Sequence, residues 1–263
     1  MSSRAADKRE ARQARLALEA ERRQIARRQV RFRRLAATVI GAAAVVAVSV
    51  AVSSGRSDHP SAATGTSVAA AAFSRDLFAG IPQHGTRLGN PSAPVRLVEF
   101  ADLQCPYCDE YSVQALPTLV KNYVRKGKLQ MEFENLSFIG PDSVKAGRVA
   151  AAASQQNRLW NFVDLLYLNQ GTENTGYVTA AYLRRLLGAV PGLNVPVALH
   201  ASETSAADAA LAEATRLATR DGVGGTPTFL IGRTGGVLRP FQPSSLTPAP
   251  FAAELDALLG GGR

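Results

Sequence analysis

The sequence predicts an α/β domain that follows one membrane-spanning helix. Residues 35–52 form a run without a single charged side chain, which predicts the membrane helix. Further along, a strand-like run at 95–100, a helix-like run at 105–125 and an alternating run at 129–136 follow one another. Strand, helix and strand in that order are typical of a parallel βαβ unit.

The positive charge of the chain is concentrated at its N-terminus. The 263 residues carry a formal charge of +9, and residues 1–34 hold twelve Lys and Arg against four Asp and Glu. We therefore predict a basic cytoplasmic tail over 1–34. The rest of the chain is nearly neutral, so we expect no nucleic-acid binding.

The charge-free run 35–52 is slightly shorter than the roughly 20 residues that a spanning helix needs. Arg31, Arg33 and Arg34 directly precede it. Because positive residues stay on the cytoplasmic side, we predict a single-pass signal anchor with the domain that follows it outside the cell membrane. A cleaved signal peptide is the alternative, although the charged region before the run is far longer than signal peptides usually have.

The composition changes again after the membrane helix. Residues 53–79 are rich in Ser, Ala and Gly, which predicts a flexible linker. Residues 80–263 then form one domain of ordinary size, with a helical insertion at about 140–220. Periodicity predicts the helices of this insertion at 143 onward, 159–169, 177–187 and 206–220.

Turn and helix-breaking residues set the remaining boundaries. Pro117 should kink the first helix of the domain, and Gly127 should end it. After the insertion, residues 228–231 and 236–239 are predicted as two strands around a glycine-rich turn. A closing helix is predicted over 250–259.

The only two cysteines, Cys105 and Cys108, stand where the first strand ends and the first helix begins. The unpaired N–H groups and the positive dipole end of a helix stabilise a thiolate, so we expect a lowered pKa for Cys105. A thiolate is the species that attacks disulfides. Cys108 should be the more buried of the two and act as the resolving thiol.

Three other interpretations of this cysteine pair compete with a reactive thiol. A structural disulfide across so small a loop would add little stability. A zinc site needs four ligands, and His59, His84 and His200 do not lie at ligand spacing. Two unreactive buried thiols are the third possibility. The position between a strand and a helix, outside the membrane, favours a redox centre without metal or cofactor.

A second motif precedes the first strand after the insertion. Thr226 and Pro227 follow three glycines of the run GVGG and lead into the strand. A proline is tolerated at the start of a strand. From the residues alone, this motif predicts only a turn.

Together the two motifs resemble the signatures of the DsbA-like thioredoxin family. These motifs are FADLQCPYC at 100–108 and VGGTPTF at 223–229, and the stretch 159–170 is similar to the inserted helices of the family. The resemblance extends over about 80–260. It implies a thioredoxin-like fold interrupted by a helical subdomain.

The resemblance also implies roles for individual residues. Cys105 would be the nucleophile and Cys108 its partner. A cis peptide bond between Thr226 and Pro227 would lie beside them, and the backbone of Thr226 would pair with an extended substrate segment. Pro227 would also block metal capture by the thiols.

Several further residues are predicted from their positions. Pro106 falls near the first helical position, where its missing N–H costs little, and with Tyr107 it should tune the redox properties. Contact with substrate is an alternative role for Tyr107. We predict that Asp102 is an exposed loop acid, with a buried proton acceptor for Cys108 as the alternative. Trp160 should pack in the core.

The resemblance implies a membrane-anchored extracytoplasmic thiol–disulfide oxidoreductase that introduces disulfides into exported proteins. A membrane redox partner would reoxidise it. A disulfide reductase or isomerase of the same fold is one alternative. A non-catalytic envelope module that binds peptides is another, and it predicts that replacing Cys105 has no effect.

Overall fold

A computed structural model describes Val68 and residues 70–261. The predicted tail 1–34, the predicted membrane helix 35–52 and most of the predicted linker lie outside the described residues. Among the helices within the described part, none is long and apolar enough to cross a membrane.

The strands of the described chain form one six-stranded sheet in the order β1-β2-β4-β3-β5-β6. The central strands β3 and β4 are parallel, with Val95 opposite Leu129, so the predicted βαβ unit is confirmed. The other neighbouring strands are antiparallel. The strands are β1 (Gln83–His84), β2 (Arg87–Leu88), β3 (Val95–Ala101), β4 (Leu129–Asn135), β5 (Thr228–Arg233) and β6 (Arg239–Phe241).

Helices surround the sheet, and five of them come between β4 and β5 without an intervening strand among these described residues. The helix Val195–Ser202 was not predicted; Asn194 caps it by accepting the N–H of Val197. The helices are α1 (Ala71–Phe78), α2 (Pro106–Gln114), α3 (Leu116–Leu119), α4 (Pro141–Gln155), α5 (Leu159–Tyr167), α6 (Ala180–Ala189), α7 (Val195–Ser202), α8 (Ser205–Arg220) and α9 (Pro248–Gly260).

The helix predicted over 105–125 is interrupted, as expected from Pro117. Because proline has no N–H, the helix breaks between α2 and α3, and a π-helical turn follows at Val120–Val124. Gly127 then adopts a φ of 68° and donates its N–H to the carbonyl of Val124. The kink and the end of this helix are therefore confirmed.

The linker prediction is wrong over its last part, because α1 forms there. Its buried side chains are Ser74, Leu77 and Phe78. Phe78 meets the ring of Trp160 with centroids 6.5 Å apart. Alanine favours helices strongly, so the Ala-rich composition is compatible with a helix once an apolar face has a partner.

The second strand of the predicted pair exists, but its predicted bounds 236–239 are wrong. Val237 lies in the turn and is 92% exposed, and β6 begins only at Arg239. Pro240 lies within this strand, opposite Leu230. A proline is tolerated there because β6 is the edge of the sheet.

Apolar residues pack on both faces of the sheet. On one face Val98, Phe100 and Leu230 contact the alanines of α8. On the other face Tyr111 of α2 and Phe251 of α9 pack around Phe229, with ring centroids 4.8–5.1 Å apart. This packing places the start of α2 firmly against the end of the central strands.

Candidate active site

The antiparallel pairing of β3 and β5 brings the two sequence motifs together. Thr228, the first residue of β5, lies opposite Phe100 near the end of β3. The cysteine motif follows β3, and Thr226 precedes β5. The Thr226–Pro227 bond is cis, as the resemblance implies. The thiol of Cys105 donates to the carbonyl oxygen of Thr226 at 3.4 Å.

The two cysteines occupy the first turn of α2. Cys105 is the extended residue directly before the helix, and Pro106 takes the first helical position. Both side chains are free thiols. Cys105 is 5% exposed and Cys108 is fully buried, so the predicted difference in burial is observed.

The surroundings of Cys105 stabilise its thiolate. The hydrogen bond from the Cys108 thiol contributes most, and with the Thr226 hydroxyl and the N–H groups of Cys108 and Tyr107 it lowers the pKa of Cys105 to about 6. Partial burial opposes this effect. Cys105 is therefore largely ionised at neutral pH. Burial raises the pKa of Cys108 well above its usual range, and the neighbouring Cys105 raises it further.

Glu99 of β3 is a site residue that the sequence did not reveal. Its side chain is buried, and its Oε1 has no hydrogen-bond partner. Burial raises the pKa of Glu99 to about 8, and the charge of Cys105 acts in the same direction. Glu99 is therefore a protonated carboxylic acid near the thiols at neutral pH. A lone acid between Val98 and Phe100 in an apolar strand was the available signal.

A groove of about 600 Å³ lies beside Pro227. Its walls include Tyr107, Phe241 and Leu246. Tyr107 is 62% exposed, so it presents its ring to whatever occupies the groove. The groove thus offers apolar contacts directly next to the backbone of Thr226.

The prediction that Asp102 is an exposed acid is wrong. Asp102 is fully buried. Its carboxylate accepts the N–H groups of Gln104, Phe138 and Ile139 and the hydroxyl of Ser143. The reason is that the loop between β4 and α4 folds over the turn that precedes Cys105.

Trp160 packs in the core as predicted. Its ring is 1% exposed and meets Phe78 and Phe133, and its Nε1 donates to the carbonyl of Thr86. Within the described residues, no cluster of His, Cys, Asp and Glu could hold a metal ion. Residue His59 lies outside that part of the chain.

Comparison with known sequences finds a matching family and relatives named for disulfide bond formation. A family model described as thioredoxin matches residues 83–236. A Bacillus cereus protein named "Probable disulfide bond formation protein D" is 39% identical over 106 residues, which are 40% of this chain and 48% of that protein. Disulfide bond formation protein D of Bacillus subtilis is 32% identical over 102 residues, covering 36% and 44% of the two chains. The match thus spans about half the length of these relatives.

Solved structures show the same fold. Oxidised BdbD from Bacillus subtilis superimposes with a TM-score of 0.59 at 20% identity, covering 69% of this chain and 98% of that one. DsbA from Chlamydia trachomatis gives a TM-score of 0.58 at 15% identity, covering 80% and 99%. The thioredoxin-like fold and the resemblance to DsbA-like proteins, both predicted from the motifs, are confirmed.

Proposed function

Because the chain belongs to the thioredoxin family, we propose that it is a thiol–disulfide oxidoreductase with Cys105 and Cys108 as its redox centre. The observation that carries this proposal is the environment of Cys105. Its sulfur lies at the start of α2 and 3.4 Å from the carbonyl oxygen of Thr226. The thiol of Cys108, which is buried, lies next to it. Relatives named for disulfide bond formation support the same activity.

The low pKa of Cys105 favours the oxidising direction. A stabilised thiolate stabilises the reduced enzyme, which makes the disulfide form the stronger oxidant. In the first step a substrate thiolate attacks the Cys105 sulfur of the disulfide. The bond to Cys108 breaks, and Cys108 leaves with the electron pair while Cys105 forms a mixed disulfide with the substrate.

Glu99 supplies the proton for this step. At neutral pH it is protonated, whereas a buried Cys108 thiolate is unfavourable, so a proton passes to Cys108. A second substrate thiolate then attacks the substrate sulfur and releases Cys105 as a thiolate. The substrate loses two electrons and forms a disulfide, and the cysteine pair gains two electrons.

Substrate binding involves the strand end beside the thiols. An extended substrate segment can pair with the backbone of Thr226 because this residue precedes β5 and is not part of the ladder between β3 and β5. Apolar side chains of the segment can enter the groove next to Pro227. Tyr107 contacts the segment from the side of α2.

We assign the domain to the outer side of the cell membrane, tethered by residues 35–52. The arginines before this run and the lack of charge within it support this orientation. The substrates are then exported proteins. A membrane redox partner must accept the two electrons that each cycle leaves on Cys105 and Cys108.

The activity is tested by removing the resolving thiol. In Cys108→Ala the mixed disulfide at Cys105 cannot be displaced from within the enzyme, so adducts with exported proteins should accumulate on non-reducing gels. The matched variant Cys105→Ala should form none. Absence of adducts with Cys108→Ala, or equal adducts with both variants, would contradict the proposal.

The direction of electron flow is tested by equilibration with glutathione. Known oxidoreductases of this fold span about −270 mV for reductants to about −120 mV for oxidants. We expect a potential in the oxidising half of that range. A value near the reducing end would assign the enzyme to the reductase alternative.

A further inference from the structure

Asp102 contacts both cysteines through its backbone. Its carbonyl oxygen accepts the N–H of Cys105 at 3.0 Å, which closes a turn over 102–105. Its own backbone opposes the effect of burial on Cys108 and acts to lower the pKa of that thiol. The Tyr167 hydroxyl donates to the same carbonyl oxygen at 3.1 Å. The backbone orientation of this one residue therefore affects the position of both sulfurs.

The side chain of Asp102 fixes that orientation. One carboxylate oxygen accepts the N–H of Gln104 at 2.8 Å and the hydroxyl of Ser143 at 2.6 Å. The other accepts the N–H groups of Phe138 and Ile139, both at 3.0 Å. The bond from Gln104 lies within the turn. The bonds from Phe138 and Ile139 attach the turn to the loop before α4, and the bond from Ser143 attaches it to the first turn of α4. Hydrogen bonds to a buried charge are stronger than those between neutral groups.

We propose that Asp102 is a positioning residue, whose carboxylate holds the turn 102–105 so that the first N–H groups of α2 point at the sulfur of Cys105. This inference rests on the proposed function. It differs from proton transfer, because four donors already occupy the carboxylate. The Asp102 carboxylate also connects Cys105 to the helical insertion, because Ser143 lies at the start of α4 and Ile139 in the loop before it.

The variant Asp102→Asn separates positioning from simple electrostatics by the sign of its effect. A negative charge near the thiolate repels it, so the removal of this charge would by itself lower the pKa of Cys105. Loss of positioning would raise it, because an amide nitrogen cannot accept from the N–H groups and the turn must shift. Only a rise supports the proposal.

The measurement is the rate of iodoacetamide alkylation of Cys105 in the reduced full-length chain, followed against pH. We expect the midpoint in Asp102→Asn to rise by about one pH unit, so that the thiolate fraction at pH 6 falls about fivefold. A midpoint that is unchanged or lower would overturn the proposal.

Asp142 provides the matched control. It is also a buried carboxylate, and it accepts from Lys145 Nζ and the N–H of Val178, neither of which belongs to the turn 102–105. Asp142→Asn should leave the alkylation midpoint unchanged even where it lowers stability. An equal rise of the midpoint in Asp142→Asn would show that any loosening of the helical insertion raises the pKa of Cys105, and the proposal would be wrong.

Ser143→Ala covers the case in which Asp102→Asn does not fold. It keeps the charge and removes one donor, so we expect about a twofold fall in the thiolate fraction at pH 6. No change would overturn the proposal. Failure of the proposed function is recognised separately: the enzyme would then form no mixed disulfides in the Cys108→Ala background, whatever the midpoints are.

Discussion

Cys105 and Glu99 titrate in opposite senses within the same site. The pKa of Cys105 is lowered to about 6, and that of Glu99 is raised to about 8. At pH 7 Cys105 is therefore ionised while the buried acid keeps its proton. This difference lets one site hold a reactive thiolate and a proton donor at the same time.

Glu99→Gln should change how stability depends on pH. Folding raises the pKa of the Glu99 carboxyl from 4.5 to about 8. The contribution of this proton to the free energy of unfolding is complete below pH 4.5, and it is lost as the pH rises through 8. Gln does not titrate. The variant should therefore gain stability relative to the wild type by roughly 1 kcal/mol per pH unit between pH 5 and 8.

Urea denaturation of the oxidised proteins at pH 5 and pH 8 measures this change. The oxidised form is used because Cys105 then does not titrate. Glu203→Gln supplies the control for the same substitution at an exposed position. A constant difference between Glu99→Gln and wild type would mean that Glu99 is not a neutral buried acid.

The sequence identified the residues whose spacing carries chemistry and missed those whose role depends on tertiary contacts. Cys105 and Cys108 stood out because two residues separate them at the start of a helix. Asp102 did not, because three of its four donors come from residues 138, 139 and 143. No local pattern around Asp102 predicts those partners.

At the scale of elements, α4 packs closely against the end of β4 and against α8. A Cβ added at Gly147 would come within 2.3 Å of the Asn135 amide nitrogen, 2.4 Å of the Ser137 hydroxyl and 2.9 Å of Leu211. Asn135 and Ser137 also bond to each other. The glycine therefore allows the insertion to begin directly beside the active-site loop.

Two glycine substitutions in helices should have opposite effects. Gly147→Ala should lower the free energy of unfolding by about 1–3 kcal/mol, because overpacking outweighs the helix propensity of alanine. Gly188→Ala in α6 should raise it by about 0.5 kcal/mol, since a Cβ there meets nothing within 4 Å. Chemical denaturation checks both. A stabilising Gly147→Ala would contradict the close packing.

Long amphipathic elements were predicted well, and short ones were not. The strands β3 and β4 and helices α4, α5, α6 and α8 carry enough apolar positions to show their period. The two-residue strands β1 and β2 have no period to detect. The helix α7 spans only eight residues, and its two buried positions are Ala198 and Ser202.

At the scale of the whole molecule, the charge distribution separates two parts of the chain. The first 34 residues carry nearly all of the net charge, and the thioredoxin-like domain follows a charge-free run and a spacer. The proposed position outside the cytoplasm agrees with the proposed redox activity, because thiols are kept reduced in the cytoplasm. The predicted orientation therefore relates the charge pattern of the N-terminus to the redox chemistry of the cysteine pair.

Thiol labelling in intact cells tests that orientation. After mild reduction, a charged maleimide that does not cross membranes should label Cys105 without lysis, because the domain lies outside. A matched chain with Cys105→Ala, Cys108→Ala and Ser3→Cys should be labelled only after lysis. Labelling of Cys105 only after lysis would overturn the external position. If the Ser3→Cys chain accepts no label even after lysis and its mass is lower, the N-terminal segment has been removed and the anchor is cleaved.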